Sequence, residues 1–494
     1  MCKANRISFT FSVITATINV QYCKPKIALE RRERMKSYEL KPTRANLVDT
    51  LSNDAIGRNI DLSRFLTILN NLHSCYSIAL DGKWGSGKTF FVKQAKMLLD
   101  AQNENTLDVY SDFATIKQSM TKYANSFSSD TTAVPQVAVY YDAWENDNDE
   151  DPLLSLILSI LQCVNTDFKF TNGTTCVGAA GAIAEILSGR RSDLLIKAKK
   201  SEDPLATIGQ EQNIRSKVDE LLEALLVAQG SRLVVFVDEL DRCNPIFAVR
   251  LLERIKHYFC NDRITFVFST NIDALQHTIR HFYGSDFDAS RYLDRFFDFR
   301  MSLPPVNLNR YYTSINFDES SGAFEVVSDL VIKSLRMEMR EIAKYLSQLD
   351  VAIRKKAHAS GYAGRGFELC KLCFIPTLIG LNLVDSNRYS NFINGEDASI
   401  LTDIFCKTGD HLGFFSDLLE TKETFDSSHL QYDSTLTLVP LEKRLNDVYD
   451  FVFGTREMDT TGKGKVGSCS FTRDYKERLL RIAGLLSNEA YYGD

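Results

Sequence analysis

The stretch DGKWGSGKTF, Asp81–Phe90, most constrains what this chain can fold into. It follows the apolar run SIAL and places three glycines, two lysines, a serine and a threonine in ten positions. Each glycine weakens a helix by about 1 kcal/mol relative to alanine, so the stretch reads as a loop. Gly82, Gly87, Lys88 and Thr89 fit the pattern G-x-x-x-x-G-K-[S/T]. Tyr76 to Leu80 predicts a short strand before it. Thr89 to Leu99 predicts a helix after it, with Phe91, Ala95 and Leu98 on one side. A glycine loop between a strand and a helix N-terminus aims backbone N–H groups and the positive helix end at one point, which suits a phosphate. The expected nucleotide-binding set is Gly82, Trp84, Gly85, Ser86, Gly87, Lys88, Thr89 and Phe90. Lys88 is expected to reach the β- and γ-phosphates of ATP, and the Thr89 hydroxyl to ligate Mg2+. The competing reading is a glycine loop with a solvated lysine.

A second motif, RLVVFVDELDR from Arg232 to Arg242, delivers Asp238 at the end of an apolar strand. Open α/β sheets bind ligands at that edge. Asp238 is the expected second Mg2+ residue, and Glu239 is expected to orient and activate the attacking water. The competing reading is an acidic cluster capping the next helix. Asp241 is a further acidic candidate, or else a partner of Arg242. A third strand, FVFSTN, ends in Ser269, Thr270 and Asn271. Asn271 reads as a polar sensor of the γ-phosphate with Thr270 behind it, or equally as the cap of a helix from Ile272 onward.

Along the chain, helices are expected at Ala55–Asn71 (capped by Asp61 or Ser63), Leu153–Val164, Asn213–Gln229, Ile246–Tyr258 and Ile272–Phe282. Strands are expected at Val137–Trp144, Leu233–Val237, Ile264–Ser269 and Phe296–Leu303. Apolar runs alternating with helices predict an α/β fold with a mostly parallel sheet covered on both faces. Beyond Pro305 helical patterns dominate, at Phe324–Leu349, Phe367–Leu383, Ala398–Leu419 and Arg473–Ser487. The expected domains are therefore three. Residues 1–34 are a disordered tail or a mis-assigned start, with Met35 as the natural first residue. Residues 35–305 form the P-loop core, with an insertion near 171–210. Residues 306–494 form an α-helical C-terminal region.

Composition narrows the class. The net charge of -6 provides no general basic field for nucleic acid. The eleven cysteines, scattered in apolar runs, read as buried thiols of a cytoplasmic protein. The CKLC at Cys370–Cys373 has no second pair at zinc spacing. Phe367 to Val384 is long enough to span a bilayer but carries Glu368, Lys371 and Pro376, so a buried helix or broken helix pair is expected instead. Residues 1–34 hold seven Lys/Arg and two Asp/Glu, a net of +5, around the run FTFSVITATINV. No A-x-A cleavage site follows, so the run is not read as a signal peptide. The acidic run DNDEDP reads as a solvated loop with Asp151 capping a helix.

These motifs and their surroundings resemble the KAP family of P-loop NTPases. The resemblance runs from about Asp54 to Leu349 and rests on DAIGRNIDLSRFLTILNNL, IALDGKWGSGKTFFVK, VYYDAWEND, VVFVDELDRCNPIFAVRLLERIK and FYGSDFDASRYLDRFFDFRMSLPP. It implies a core of the additional-strand, glutamate type, with a strand between the Walker A and Walker B strands. Many members carry transmembrane helices between those motifs. This chain has only the segment Thr171–Pro204 there. Asp142, Ala143 and Trp144 stand where the family usually has an Asn-Pro-Trp or Asn-Ala-Trp pattern. Tyr292–Arg295 matches a family segment, which makes Arg295 the expected arginine finger, in cis or across a homo-oligomer, with Arg291 as competitor. A surface arginine is the plainer reading of both. Arg336, Arg340 and Lys344 are expected on one helical face, either solvated or acting as a second sensor.

The resulting expectation is a cytoplasmic ATPase whose Mg2+-dependent hydrolysis switches the helical region, with an unidentified protein partner and room for peripheral membrane association without a transmembrane helix. Family relatives suggest phage defence or membrane-associated signalling. The alternative is a binding module that holds nucleotide without hydrolysing it. A small-molecule kinase would need an acceptor-binding lid, and no such segment is evident. GTP stays open, with no Asn-Lys-x-Asp base-reading motif to favour it.

Overall fold

The computed structural model describes residues 38–106, 110–124, 135–163, 204–259, 261–354, 364–406, 419, 434–460 and 462–484. The expected tail (1–34) and residues 171–203 of the expected insertion lie outside the described residues. The core elements are α1 (Arg44–Asn53), α2 (Asn59–Asn70), β1 (Tyr76–Asp81), α3 (Lys88–Gln102), α4 (Phe113–Ala124), β2 (Gln136–Asp142), α5 (Pro152–Gln162), α6 (Pro204–Gln229), β3 (Arg232–Asp238), α7 (Pro245–Tyr258), β4 (Ile264–Thr270), α8 (Ile272–Tyr283), α9 (Ala289–Leu293) and β5 (Phe299–Ser302). A helical region follows with α10 (Leu308–Ser314), α11 (Ala323–Ser334), α12 (Met339–Arg354), α13 (Arg365–Val384), α14 (Ser386–Ile393), α15 (Ser399–Phe405), α16 (Ser434–Val452), the hairpin β6 (Lys463–Val466) and β7 (Cys469–Thr472), and α17 (Asp474–Ala483).

The five core strands are parallel, in the order β2-β3-β4-β1-β5. β4 thus separates the glycine-loop strand β1 from the acidic strand β3, as the additional-strand arrangement requires. Every residue of β3 and β4 is buried. Successive strand side chains point to opposite faces. Val234, Phe236 and Val267 accordingly join one apolar cluster with Ile78 and Leu80. Val235, Val237, Phe266 and Phe268 join another with Ala79. The first cluster continues through Tyr311, Val331, Ile342 and Phe374, so the helical region and one face of the sheet share a core.

Several boundaries differ from expectation. The helix expected at Ala55–Asn71 starts only at Asn59, and neither Asp61 nor Ser63 caps it. Asp54, in the left-handed region at φ 49°, accepts from the Asn59 N–H at 3.0 Å instead, across the turn containing Gly57. The α6 helix reaches back to Pro204, into the expected insertion. β5 starts at Phe299 because Phe296 and Phe297 are drawn into the core. The Asp142 side chain stops β2 by accepting from the Glu145 N–H at 3.1 Å. The single helix expected at Phe324–Leu349 is two helices, α11 and α12, broken at Arg336, whose φ is 50°. Arg336, Arg340 and Lys344 therefore do not share a helical face. The stretch expected as a helix at Ala398–Leu419 forms α15 only as far as Phe405, and 407–418 lie outside the described residues.

Among the described helices, α13 alone is long and apolar enough to cross a membrane. It is one continuous helix through Pro376, and 78% of its apolar window is buried inside the protein. Cys370 and Cys373 are both buried along it. The hairpin β6–β7 had no counterpart in the sequence reading.

Candidate functional site

β1 hands the chain to the glycine loop at its C-terminal edge, where the Gly82 N–H donates to the Thr270 carbonyl at 3.3 Å. Gly85 and Gly87 take φ of 85° and 89°, conformations that favour glycine. A Cβ on Gly85 would lie 2.8 Å from the Arg340 Cβ, so the helical region leans directly on the loop. The Arg340 N–H, in the first turn of α12, donates to the Gly85 carbonyl at 3.3 Å. Lys88 opens α3 and is buried. Its Nζ donates to the Gly82 and Lys83 carbonyls at 2.6 and 3.1 Å. Burial pulls the Lys88 ammonium below its ordinary value, against the opposing field of Asp241, Asp238 and Glu239.

Asp238 ends β3 fully buried. Its Oδ2 accepts from the Tyr140 hydroxyl at 2.9 Å, and its Oδ1 from the Glu239 N–H at 3.1 Å. Glu239 sits at φ 59°, turning the chain into a short 3-10 segment, Leu240–Arg242. Its Oε2 pairs with Arg242 Nε at 2.5 Å. Burial, then the neighbouring Asp238, raises the Glu239 carboxyl above its usual value. Asp241 does not pair with Arg242. It accepts from Trp84 Nε1 at 2.5 Å and from the Thr270 hydroxyl at 3.0 Å, tying the glycine loop to the end of β4. The 3-10 turn points Arg242 back at Glu239, which leaves Asp241 to the other two.

A cavity of about 170 Å³ gathers part of this set, and Gly82, Ser86, Asp238 and Asp241 are not in its lining. Trp84, Gly85, Gly87, Lys88, Thr89, Phe90, Glu239 and Arg242 line one side. Glu39, Leu40 and Pro42, together with Tyr311, Met339, Arg340 and Ala343, line the other. Ser86 carries a buried hydroxyl with no hydrogen-bond partner. Asn271, like Asp238, is not in the lining. The Asn271 Oδ1 accepts from the Ala274 N–H at 3.3 Å, capping α8. Arg291 and Arg295 are both exposed and lie outside the cavity. Arg295 comes three residues before Asp298, whose N–H donates to the Ser77 carbonyl at 2.8 Å near the start of β1. The loop leaves β1 at the other end, roughly 17 Å away at about 3.3 Å per residue. Arg295 thus precedes a residue fixed at the end of β1 opposite the glycine loop.

Sequence reasoning missed four contributors. Tyr140 reaches Asp238 from the adjacent strand, a contact set by the β2–β3 register rather than by any motif. Arg58 is 5% exposed behind the loop and donates to the Ser86 and Pro304 carbonyls at 2.8 and 2.5 Å. Leu40 and Tyr311 come from segments on either side of the core. Only the conspicuous arginine in DAIGRNI offered a signal.

A hydroxyl, a buried carboxylate and a glycine cradle that a Cβ would obstruct fit a magnesium–phosphate ligand, since Mg2+ takes oxygen donors and phosphate oxygens. The parallel sheet, glycine loop and strand-end acidic pair define a P-loop NTPase. The model of the KAP family P-loop domain matches residues 59–321, more than half of the chain, and the protein belongs to this family. No curated protein matches the chain. Among solved structures, the Aeropyrum pernix ORC2 protein in ADPNP–ADP complexes aligns at 13% identity over 87% of this chain and 93% of that one. Its TM-score is 0.29, too low to carry any argument about this chain.

Proposed function

We propose that the chain binds ATP with Mg2+ in this cavity, hydrolyses it, and thereby switches the helical region beyond residue 305. The observation that carries the reading is the junction at Gly85. The loop that would hold phosphate accepts a hydrogen bond from the first turn of α12, and Lys88 and Glu239 line the same cavity. This contact supports a link between phosphate position and the position of the helical region.

In this reading Gly85, Ser86 and Gly87 present backbone N–H groups to the phosphates, and Lys88 leaves its carbonyl partners for the β- and γ-phosphates. Thr89 and Asp238 would hold Mg2+, which supplies charge neutralisation at the phosphates. Tyr140 orients the Asp238 carboxylate. Glu239, with its raised proton affinity, takes a proton from the attacking water. Leu40, Pro42, Tyr311 and Ala343 offer an apolar wall for the base. Asn271 remains a polar neighbour of the reaction edge. Arg295 serves the site of a second copy, so the active form is at least a dimer; its exposure supports this. The expected setting is cytoplasmic, with a protein partner, and family resemblance alone suggests phage defence or membrane-associated signalling.

Phosphate release from ATP by wild type and Glu239→Gln tests the reading. Turnover in wild type and at least ~100-fold loss in the variant, with ATP still bound, is expected. Equal turnover in both chains would refute it.

A further inference from the structure

We propose that Arg242 is a γ-phosphate ligand in cis, and that its guanidinium passes between Glu239 and the triphosphate, so that triphosphate binding itself releases the general base. The proposal rests on the ATP-hydrolysis reading above. It starts from a local geometric fact. Glu239 is held at φ 59°, and the Arg242 N–H donates to the Glu239 carbonyl at 3.1 Å. This tight turn brings the two side chains together, with Nε and Oε2 2.5 Å apart. Both groups line the cavity that holds Lys88 and Thr89.

A carboxylate whose oxygen is held by a guanidinium is a poor acceptor for a proton from water. A terminal phosphate carries more charge than a carboxylate and offers the same planar fork a bidentate partner. The guanidinium therefore has a better partner within the cavity once a triphosphate places its γ-phosphate beside Glu239, a position that a diphosphate, one phosphate shorter, does not reach. The other cations are differently placed. Lys88 sits at the mouth of α3, Arg340 stands on the α12 side, and Arg291 and Arg295 lie outside the cavity. Asp241 is occupied by Trp84 and Thr270, so it does not compete for Arg242. In the reaction, the water oxygen bonds to the γ-phosphorus while its proton passes to Glu239. The bond from that phosphorus to the β-bridging oxygen breaks, and the diphosphate leaves with that oxygen. Nothing is oxidised or reduced.

The structure also supplies a reporter. The Arg242 guanidinium lies 5.6 Å from the centre of the Trp144 ring, and Trp144 is 53% exposed. The chain has two tryptophans, and the other, Trp84, lines the cavity itself, so the Trp144→Phe variant separates the two signals. Movement of Arg242 alters the charge over that ring.

The test is a fluorescence titration of the full chain with ADP and with a non-hydrolysable ATP analogue, both with Mg2+. Wild type, Arg242→Ala, Arg242→Lys and Trp144→Phe are compared. Wild type is expected to prefer the triphosphate by at least ~10-fold, and the Trp144 component of the emission change, the part missing in Trp144→Phe, is expected with the triphosphate and not with ADP. Arg242→Ala is expected to lose that preference and that signal while binding ADP within about threefold of wild type. Arg242→Lys, which keeps the charge without the fork, should retain an intermediate preference. It also reports on the site if the alanine variant fails to fold. Full triphosphate preference and an unchanged Trp144 signal in Arg242→Ala would overturn the proposal while leaving ATP binding intact. Binding of neither nucleotide to wild type would overturn both.

Discussion

Replacing Arg58 by methionine separates what that arginine does for stability from what it does for the loop. Arg58 is almost completely buried and bridges two backbone carbonyls, Ser86 in the glycine loop and Pro304 in the linker to the helical region. Two hydrogen bonds from a charged donor contribute about 1.5–3 kcal/mol each, or about 3–6 together. Burial works the other way. It holds the guanidinium at about 10 rather than 12.5, and at about 1.4 kcal/mol per pH unit the charged form costs about 3.5 kcal/mol. The Arg58 Nε is also left without a partner. The net contribution is therefore between about zero and about 2.5 kcal/mol, small for so large a buried group. Methionine fills similar space without the charge, so the variant should stay folded and lose no more than about that amount in a denaturant titration. ATP affinity should fall at least ~10-fold, because the Ser86–Gly87 peptide loses its anchor. Lysine should not rescue affinity, since one ammonium cannot reproduce the planar two-carbonyl bridge. Wild-type affinity in the folded methionine variant would refute the positioning role. Loss of stability well beyond this range would show that the arginine is structural first.

Other expectations follow from single contacts. Tyr140→Phe removes the hydroxyl that orients Asp238, and the Mg2+ concentration needed for half-maximal ATP binding should rise about 3–10-fold with the fold intact. Arg295→Ala should bind nucleotide normally yet lose turnover. Mixing it with Glu239→Gln should restore activity, because each variant supplies what the other lacks across a subunit contact. No recovery on mixing would argue against action in trans.

The glycine loop, the acidic strand end and the parallel sheet were legible in the sequence because each is a local pattern. Glycine is the residue for φ near 90°, and the apolar runs of β3 and β4 belong to strands buried on both faces. What the sequence did not disclose is how distant segments meet. The Tyr140–Asp238 contact depends on strand register. Placing Tyr311 and Met339 around the loop depends on how the helical region packs, and placing Leu40 there on how the segment before α1 does. Helical spacing put Arg336, Arg340 and Lys344 on one face, but a left-handed turn at Arg336 interrupts that helix. The sequence offered two readings of Asn271 without ranking them, and its hydrogen bond to Ala274 is the helix cap. The pairing of Arg242 with Glu239 rather than Asp241 follows from a strained φ that no spacing rule predicts.

Hydrogen exchange with and without ATP–Mg2+ tests the central claim most directly, that one cavity joins the glycine loop to the helical region. The account predicts slowed exchange in three separate stretches, 82–89, 38–43 and 338–343, with ATP protecting the last more strongly than ADP. Protection confined to 82–89 would mean that nucleotide binds the loop without engaging the helical region, and would contradict the account.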